Sequence, residues 1–598
     1  MRTVGLGIQE FEKIRNENLF YVDKTSFIAR WYRKHDDITL ITRPRRFGKT
    51  LTMDMLDCFF SLPYAGRKDL FEGLAISRDT AMMEMQGTVP TIRISFAGLK
   101  GKSFMAMLRE IAGRIAVLLG RYRYLLNSDA LNEDERDVFA QMSKIVPKIP
   151  DPEKQTLEFE EYVFILTHIF HFLSIWLFRH HGKKVFIFMD EYDTPIQTAY
   201  LKGYYDEAIS VMQELFAETF KENEHLGRAV ISGITRIAKE SLFSDMNNLA
   251  VCSVLSGGYN DVFGFTGEEM EEILEEYHLS DQKELICRWY DGFTIGAEMG
   301  IYNPWSIVNY LANRNMPPQD YWAQSGGIGL IDHLVRRGGA NIKEGLEDLL
   351  HGGEIRKNIR EDLVFPRLDM NENAVWSLFI AAGYVKPEIG EESFALAKTT
   401  MRLTNYEAKV CLTKMVQEWF NTKSGNYMEA FANALQSDDI RGMNEAMQQV
   451  VLVCASGFDS GVKPSDGNVQ PENFFHALAL GMLTCLSEDY LVTSNREAGF
   501  GRYDVCVEPV GKSTFVEPQN GNQAESPTVG GGAFAAILEF KVFDKSKGDQ
   551  SPEDTALRAR TQIEEKAYDA ELLARGIPAN AIRKYGLGFR GKEVVITA

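Results

Sequence analysis

Three short runs in this 598-residue chain combine residue types suited to handling phosphate and hard cations. The first is Arg43-Pro44-Arg45-Arg46-Phe47-Gly48-Lys49-Thr50. At a helix start, a glycine such as Gly48 lets backbone amides close on an anion. Lys49 can reach the outer phosphate oxygens, and the Thr50 hydroxyl can ligate a divalent cation. The second run is Asp190-Glu191-Tyr192-Asp193, which follows the apolar stretch Val185-Phe186-Ile187-Phe188-Met189. At such a strand tip Asp190 can hold a cation's water shell, and Glu191 can polarise an attacking water. The third is Glu539-Phe540-Lys541, with Asp504 upstream inside the strand pattern Gly501 to Val507. Strand alternation puts Glu539 and Lys541 on one face, where a carboxylate beside Asp504 and an amine can hold Mg²⁺ and orient a water toward phosphorus.

Each run also has a plainer reading. Gly-Lys-Thr arises by chance in long chains, and Arg45 and Arg46 suit a solvated basic face. Acidic turns after core strands are common, and Glu-x-Lys is usually a surface ion pair. What separates the readings is order. The Gly-Lys-Thr loop matches the end of the Walker A pattern GxxxxGK[ST], with Arg43 in place of its first glycine. The acidic run after an apolar strand has the Walker B arrangement, and both sit at strand ends, where ligands of open α/β sheets bind. The neighbours of Glu539 (Ile537, Leu538, Phe540, Val542) read as a core strand, so its charged pair faces an enclosed site.

The elements that must position these residues follow from periodicity. Phe27, Ile28 and Trp31 share a helical face, Ile38 to Thr42 reads as a buried strand, and Leu51, Met55, Leu56 and Phe59 recur at helical spacing after the loop. Thr91 to Phe96, Val185 to Met189 and Arg228 to Gly233 are further strands. The last runs into Ile234-Thr235-Arg236, where Arg236 could contact a γ-phosphate. Thr266-Gly267-Glu268-Glu269 is a capping-box pattern and ends the α/β region. The expected organisation is an α/β domain over 1–266, a helical lid over 267–345, a helical linker domain over 346–460 and a second α/β domain over 461–598. The Gly/Ser/Asp/Pro stretch from Ser456 to Pro471 reads as a linker, and Val516 to Gly532 as an insertion between two strands. The aromatics Trp289-Tyr290-Asp291-Gly292-Phe293 and Tyr302-Asn303-Pro304-Trp305 read as packing residues.

Composition sets bounds. A net charge of -19 argues against coating nucleic acid by bulk electrostatics, while leaving room for a local basic groove. Seven dispersed cysteines without a CxxC pair predict neither a zinc site nor a disulfide framework, and fit a reducing compartment. The N-terminus lacks an apolar signal core, so a cytoplasmic protein is expected. The apolar segment Tyr162 to Phe178 is shorter than the roughly 20 residues of a spanning helix. It is read as a core helix, with His168 and His171 as satisfied core residues.

Taken together, Val22-Asp23-Lys24-Thr25, the loop from Arg43 to Thr50, Asp190 to Asp193, Gly233 to Arg236 and the two aromatic runs resemble the bacterial AAA-ATPase-like family. In that family Arg-Pro-Arg-Arg-Phe-Gly-Lys-Thr is the usual loop, so Arg43 is a family feature. The resemblance covers roughly the first 310 residues. It implies a P-loop NTPase of the additional-strand type, with a three-layer α/β sheet and a helical lid. It also implies ATP and Mg²⁺ as cofactors, with Arg43, Arg46, Phe47, Gly48, Lys49, Thr50 and Arg236 as nucleotide contacts, Thr50 and Asp190 as metal ligands and Glu191 as the catalytic carboxylate. The segment from about 470 is similar to the PD-(D/E)XK nuclease domain that often accompanies this family. Carried over by position, Asp504 and Glu539 are the metal ligands, Lys541 activates water, Glu472 assists the metal shell and Gln562 supports substrate or water. The expected function is an ATPase coupled to a Mg²⁺-dependent nuclease acting on nucleic acid, DNA above all. Self-association into a homo-oligomer is left open, and no membrane is involved. The alternative is a nucleotide-driven switch whose C-terminal domain only binds nucleic acid or a protein.

Overall fold

The computed structural model of the protein describes residues 1–221, 223–237, 242–243, 246–322, 329–359, 365–388, 398–419, 421–422, 425–458, 471–486, 489–510 and 534–598. Most of the stretch read as a linker, and the whole of the insertion read at 516–532, lie outside the described residues. The chain forms two compact units, Met1–Leu330 with Arg356–Ala408, and Ile331–Ile355 with Lys409–Ala598. The stretch 267–460, expected as a helical lid and a helical linker domain, is therefore shared between them, and it also holds strands at Phe293–Ile295, Glu298–Ile301, Ile355–Lys357, Val385–Pro387 and Thr399–Leu403.

The first unit is built on five parallel strands. They are β1 (Ile38–Thr42), β2 (Thr91–Ser95), β3 (Val185–Asp190), β4 (Leu226–Gly233) and β5 (Leu249–Cys252), in the order β2-β3-β4-β1-β5. Every residue of β1 and β3 is buried, so both faces of these strands are covered. That is why their sequences are continuous apolar runs without alternation. β4 lies between β1 and β3, and the strand tips carrying the Gly-Lys-Thr loop and Asp190 flank it. β5 escaped the sequence reading because Leu-Ala-Val-Cys is short and lies among serines and asparagines.

Helix α1 (Lys49–Phe60) follows β1 directly and packs against the sheet, with Met53, Met55, Leu56, Phe59 and Phe60 in the core. The apolar segment expected to be shorter than a membrane span is the middle of a longer helix, α2 (Thr156–His181), of 26 residues. By length and composition alone it could cross a bilayer, but 56% of its apolar window is buried inside the unit, where it packs on the helix Tyr205–Phe220. His168 and His171 find carbonyl partners at Phe164 and Glu218, so they are satisfied as expected, but both are half-buried and lie outside the core. The Thr266 capping box forms in full, and its Glu269 also takes the Lys24 ammonium. The two aromatic runs are partly core: Tyr290 and Tyr302 cluster with Tyr310 and with Phe20 from the N-terminal segment, while Trp289 and Trp305 are half-buried.

In the second unit a mixed sheet runs β6 (Tyr490–Ser494), β7 (Val505–Pro509), β8 (Ala535–Val542), β9 (Ile582–Arg590) and β10 (Glu593–Thr597) in spatial order. β8 and β9 are parallel and the other neighbours antiparallel. Helix α3 (Pro552–Glu565) starts from a capping box at Ser551 and lies across β8 and β9. Asp504 was expected inside a strand running from Gly501 to Val507. Instead that strand breaks, and Asp504 sits in the bend between a short rung at Gly501–Arg502 and β7.

Within the first unit the returning segment is tied in by a buried acid. Glu407 is fully buried, accepting hydrogen bonds from the Ser306 hydroxyl and the Trp322 amide, both at 2.7 Å. Burial pushes its carboxyl up to about 8, against the pull of those two donors. Between the ordinary carboxylate range and about pH 8 the folded state therefore holds a proton that the unfolded chain releases. This contribution to stability is complete at low pH and is lost as pH rises through that window. Glu407→Gln is expected to flatten the decline of the unfolding midpoint between pH 5 and 8, measured by denaturant titration. A decline as steep as in the unaltered protein would show that Glu407 does not titrate there.

Candidate functional site

Gly48 precedes α1 in a left-handed conformation (φ 81°), which turns the loop amides toward the space at the helix start. The Lys49 ammonium is buried and donates to the carbonyls of Arg43 at 3.0 Å and Pro44 at 2.7 Å. Burial pushes it down to about 8, while Glu191 and Asp190 pull the other way. The Thr50 hydroxyl donates to Asp190 Oδ2 at 2.7 Å, and the Ser232 hydroxyl of β4 donates to Asp190 Oδ1. Burial first, then the charge of Asp190, raises the Glu191 carboxyl above its ordinary range. The structure thus brings Lys49, Thr50, Asp190 and Glu191 to one place.

The other loop residues have different jobs. Arg43 is fully buried, its guanidinium donating to the carbonyls of Thr42, Cys252 and Gly258. It ties β1 to the end of β5, so its guanidinium is already engaged by carbonyls, which corrects its expected place among nucleotide contacts. Phe47 is buried edge-on against Phe293, ring centroids 4.8 Å apart, so its side chain anchors the loop and only its backbone is free to face a ligand. Arg46 is exposed and stacks over Trp305 at 4.5 Å, and Asn303 donates to the Arg45 carbonyl at 3.2 Å. Arg236 follows β4 and is half-buried. Arg46 (φ 65°) and Glu191 (φ 53°) both hold left-handed backbone, uncommon outside glycine and a mark of functional sites.

A cavity of about 440 Å³ opens on this centre, within the range of small-molecule sites. Arg46, Gly48, Thr50 and Glu191 line one part of it. An apolar wall of Ile8, Tyr21 and Val22 from the N-terminal segment, with Phe265, also lines it, and Trp305 lies against Arg46. Sequence reasoning missed that wall. Its anchor, the Phe11 amide donating to Asp54 Oδ2 at 2.5 Å, joins positions 43 residues apart and leaves no local pattern. Also missed was Asp193, read only as part of an acidic run. Fully buried, its Oδ2 accepts from the amides of Ile234 and Thr235, the Thr235 hydroxyl and Gln197. It thereby fixes the turn that leads to Arg236.

In the second unit Glu539 is almost wholly buried. Its Oε1 accepts from Lys541 Nζ at 2.8 Å and Gln562 Nε2 at 2.5 Å, while Oε2 is buried without a hydrogen-bond partner. Burial and then Asp504 push Glu539 up to about 7, and Lys541 opposes this. Asp504 Oδ2 accepts the Phe540 amide at 2.6 Å, which sets the bend carboxylate beside β8. Gln562 also donates to the Tyr568 hydroxyl at 3.0 Å, a partner not foreseen from sequence. The structure therefore gathers Asp504, Glu539, Lys541 and Gln562. Glu472 starts the helix Pro471–Leu486, and its side chain lies outside the described residues. Helix Ala340–Leu350 supports the same region: buried Glu347 accepts the Ser494 amide at 2.8 Å and hydroxyl at 2.6 Å, and the next residue, Asn495, donates its amide to the Asp504 carbonyl.

Comparison with known families gives two matches. Residues 5–243 match the family described as predicted AAA-ATPase, and residues 470–598 match the PD-(D/E)XK nuclease superfamily. The chain joins an AAA-ATPase-like domain to a PD-(D/E)XK nuclease-like domain. The AAA-ATPase-like match contains the Gly-Lys-Thr loop, Asp190 and Arg236, and ends before the two aromatic runs. The nuclease-like match contains Glu472, Asp504, Glu539, Lys541 and Gln562. A curated relative, the "Uncharacterized protein in vnfD 5'region" of Azotobacter chroococcum mcd 1, is 25% identical over 416 residues, 69% of each chain.

The role of Asp193 in the AAA-ATPase-like domain is testable by stability. Asp193→Ala strands two buried amides and a hydroxyl, and is expected to cost about 3 kcal/mol. Asp193→Asn keeps one acceptor oxygen and is expected to cost less. Denaturant unfolding checks both, and equal, negligible losses would contradict the assignment.

Proposed function

We propose that this protein is a P-loop ATPase of the additional-strand type that binds and hydrolyses ATP with Mg²⁺, coupled to a Mg²⁺-dependent nuclease centre acting on nucleic acid, DNA above all. The observation that carries the reading is a pattern found twice: a buried carboxylate, Asp190 at the tip of β3 and Glu539 within β8, with a lysine and a second oxygen donor nearby. Thr50 and Asp190 offer hard oxygen donors in one case, Asp504 and Glu539 in the other, which suits Mg²⁺. The buried, unpartnered Oε2 of Glu539 fits a cation particularly well. When bound, Mg²⁺ supplies charge neutralisation at the phosphate and a more acidic water.

The chain's own groups do the rest. Lys49 exchanges its carbonyl partners at Arg43 and Pro44 for β- and γ-phosphate oxygens, and the amides around Gly48 cradle the phosphates. The apolar wall of Ile8, Tyr21 and Val22 takes the base. Glu191, raised by burial, is poised to orient a water and accept its proton. Arg236, on the turn held by Asp193, faces the γ-phosphate. At the second centre Lys541 orients the attacking water, Gln562 holds the Glu539 carboxylate in place, and Glu472 completes the shell. A cytoplasmic setting fits the free cysteines, Cys58, Cys252, Cys287, Cys411, Cys485 and Cys506 among the described residues.

The net charge of -19 favours a second reading, a nucleotide-driven switch whose C-terminal domain binds without cutting. Purified protein assayed on single- and double-stranded substrates, with and without ATP and with Mg²⁺ or Mn²⁺, separates the two. Glu539→Ala and Lys541→Ala are each expected to reduce cleavage by about a hundredfold or more while ATP turnover survives. Lys49→Ala and Glu191→Gln are expected to abolish ATP turnover. Unchanged cleavage by both purified C-terminal variants would sink the nuclease reading, and binding without cleavage in every condition would favour the switch.

A further inference from the structure

We propose that Phe500 is a stacking platform for an unpaired nucleobase, and that the C-terminal centre therefore takes single-stranded or locally opened nucleic acid. The inference deepens the nuclease reading and rests on it.

Phe500 is 80% exposed, the most exposed large apolar side chain among the described residues. A single exposed apolar residue is ordinary on a protein surface. This one differs in how its backbone is held. It sits at the tip of a two-rung hairpin, Glu497 opposite Arg502 and Ala498 opposite Gly501. Its amide donates to the Lys566 carbonyl at 2.8 Å. The preceding residue, Gly499, adopts φ 55°, and a Cβ there would lie 2.1 Å from that same carbonyl oxygen. Only glycine lets the tip press this closely on the Lys566–Ala567 turn. At the hairpin's feet, Ala498 and Tyr503 are buried in one cluster with Tyr568. An aromatic ring is thus held out to solvent on an immobilised backbone.

Both supports of that hairpin lead to the nuclease-like centre. The Lys566–Ala567 turn closes α3, whose Gln562 donates to Glu539 and to Tyr568. Tyr503 is followed directly by Asp504, and the Asn495 amide on the other side of the hairpin bonds the Asp504 carbonyl. The side chain of Arg502 is 60% exposed beside the tip, paired only loosely with Glu497 at 3.4 Å, and Lys566 is exposed. These are local cations for a phosphate backbone.

The physical case for stacking comes from the overall charge. With a net charge of -19, affinity for a polyanion cannot come from bulk attraction, so it must be local. Stacking on an aromatic face supplies such affinity without sequence preference, since every base has a π-face. Bases inside a duplex are already stacked and cannot use the ring, so the platform selects unpaired ones.

The test uses the full chain without divalent cation, with fluorescence anisotropy on a labelled oligothymidylate and on a blunt duplex of equal length. Phe500→Ala is expected to weaken single-strand binding about tenfold and leave duplex binding unchanged. Phe500→Trp is expected to keep the affinity, with its indole emission quenched as the oligonucleotide is added. Single-strand binding unchanged in Phe500→Ala, as a side chain that docks a protein would give, overturns the proposal. So does an equal loss on both substrates. Cleavage by the unaltered protein together with an unchanged KM for single strands in Phe500→Ala overturns this inference alone. Neither binding nor cleavage by the unaltered protein overturns the nuclease reading, and the inference with it.

Discussion

Keeping a lysine charged in a buried place is the constraint around which the N-terminal unit is organised. Among the described residues no carboxylate bonds Lys49 directly, and its ammonium rests on two loop carbonyls. Such an arrangement stands only if the carbonyls are held rigid and the acidic groups stay close enough to favour the cation. The buried guanidinium of Arg43 supplies the first condition by fastening the start of the loop to β5 and its following turn. The strand order supplies the second, because β4 separates β1 from β3 and offers Ser232 to hold Asp190 in line with Thr50. Lysine on carbonyls is also a replaceable arrangement: an incoming phosphate offers better partners than neutral oxygens do.

The C-terminal centre meets the same problem with a different answer. There the lysine is partly exposed and bonds the buried carboxylate directly, and Gln562 takes a second share of the same oxygen. One oxygen is saturated and the other is left bare, so the desolvation cost of Glu539 is only half offset.

Much of this was legible in the sequence where chemistry and periodicity coincide. The run Val185–Met189 announced a strand covered on both sides, and the acids after it fell at its tip. Glu539 and Lys541 shared a face, as alternation requires. The resemblance placed Arg43 among nucleotide contacts, since motif position says nothing of which groups a long side chain bonds. Local periodicity extended one strand through Asp504 because a bend between two short pairings has no residue signature of its own. It was silent on Ile8, Tyr21 and Asp193, whose partners are distant in the chain. It passed over Phe500 because a phenylalanine between glycines reads as turn filler until its exposure is known.

The path of the chain has a practical consequence. Helix Ala340–Leu350 belongs to the compact unit of the nuclease-like domain, yet residues of the AAA-ATPase-like unit both precede and follow it. A C-terminal fragment started anywhere after Ala408 therefore lacks Glu347, and leaves the buried Ser494 amide and hydroxyl without their acceptor. The two units cannot be parted by one cut in the gene, and any swap of one half between relatives must carry this short helix along with the nuclease-like half.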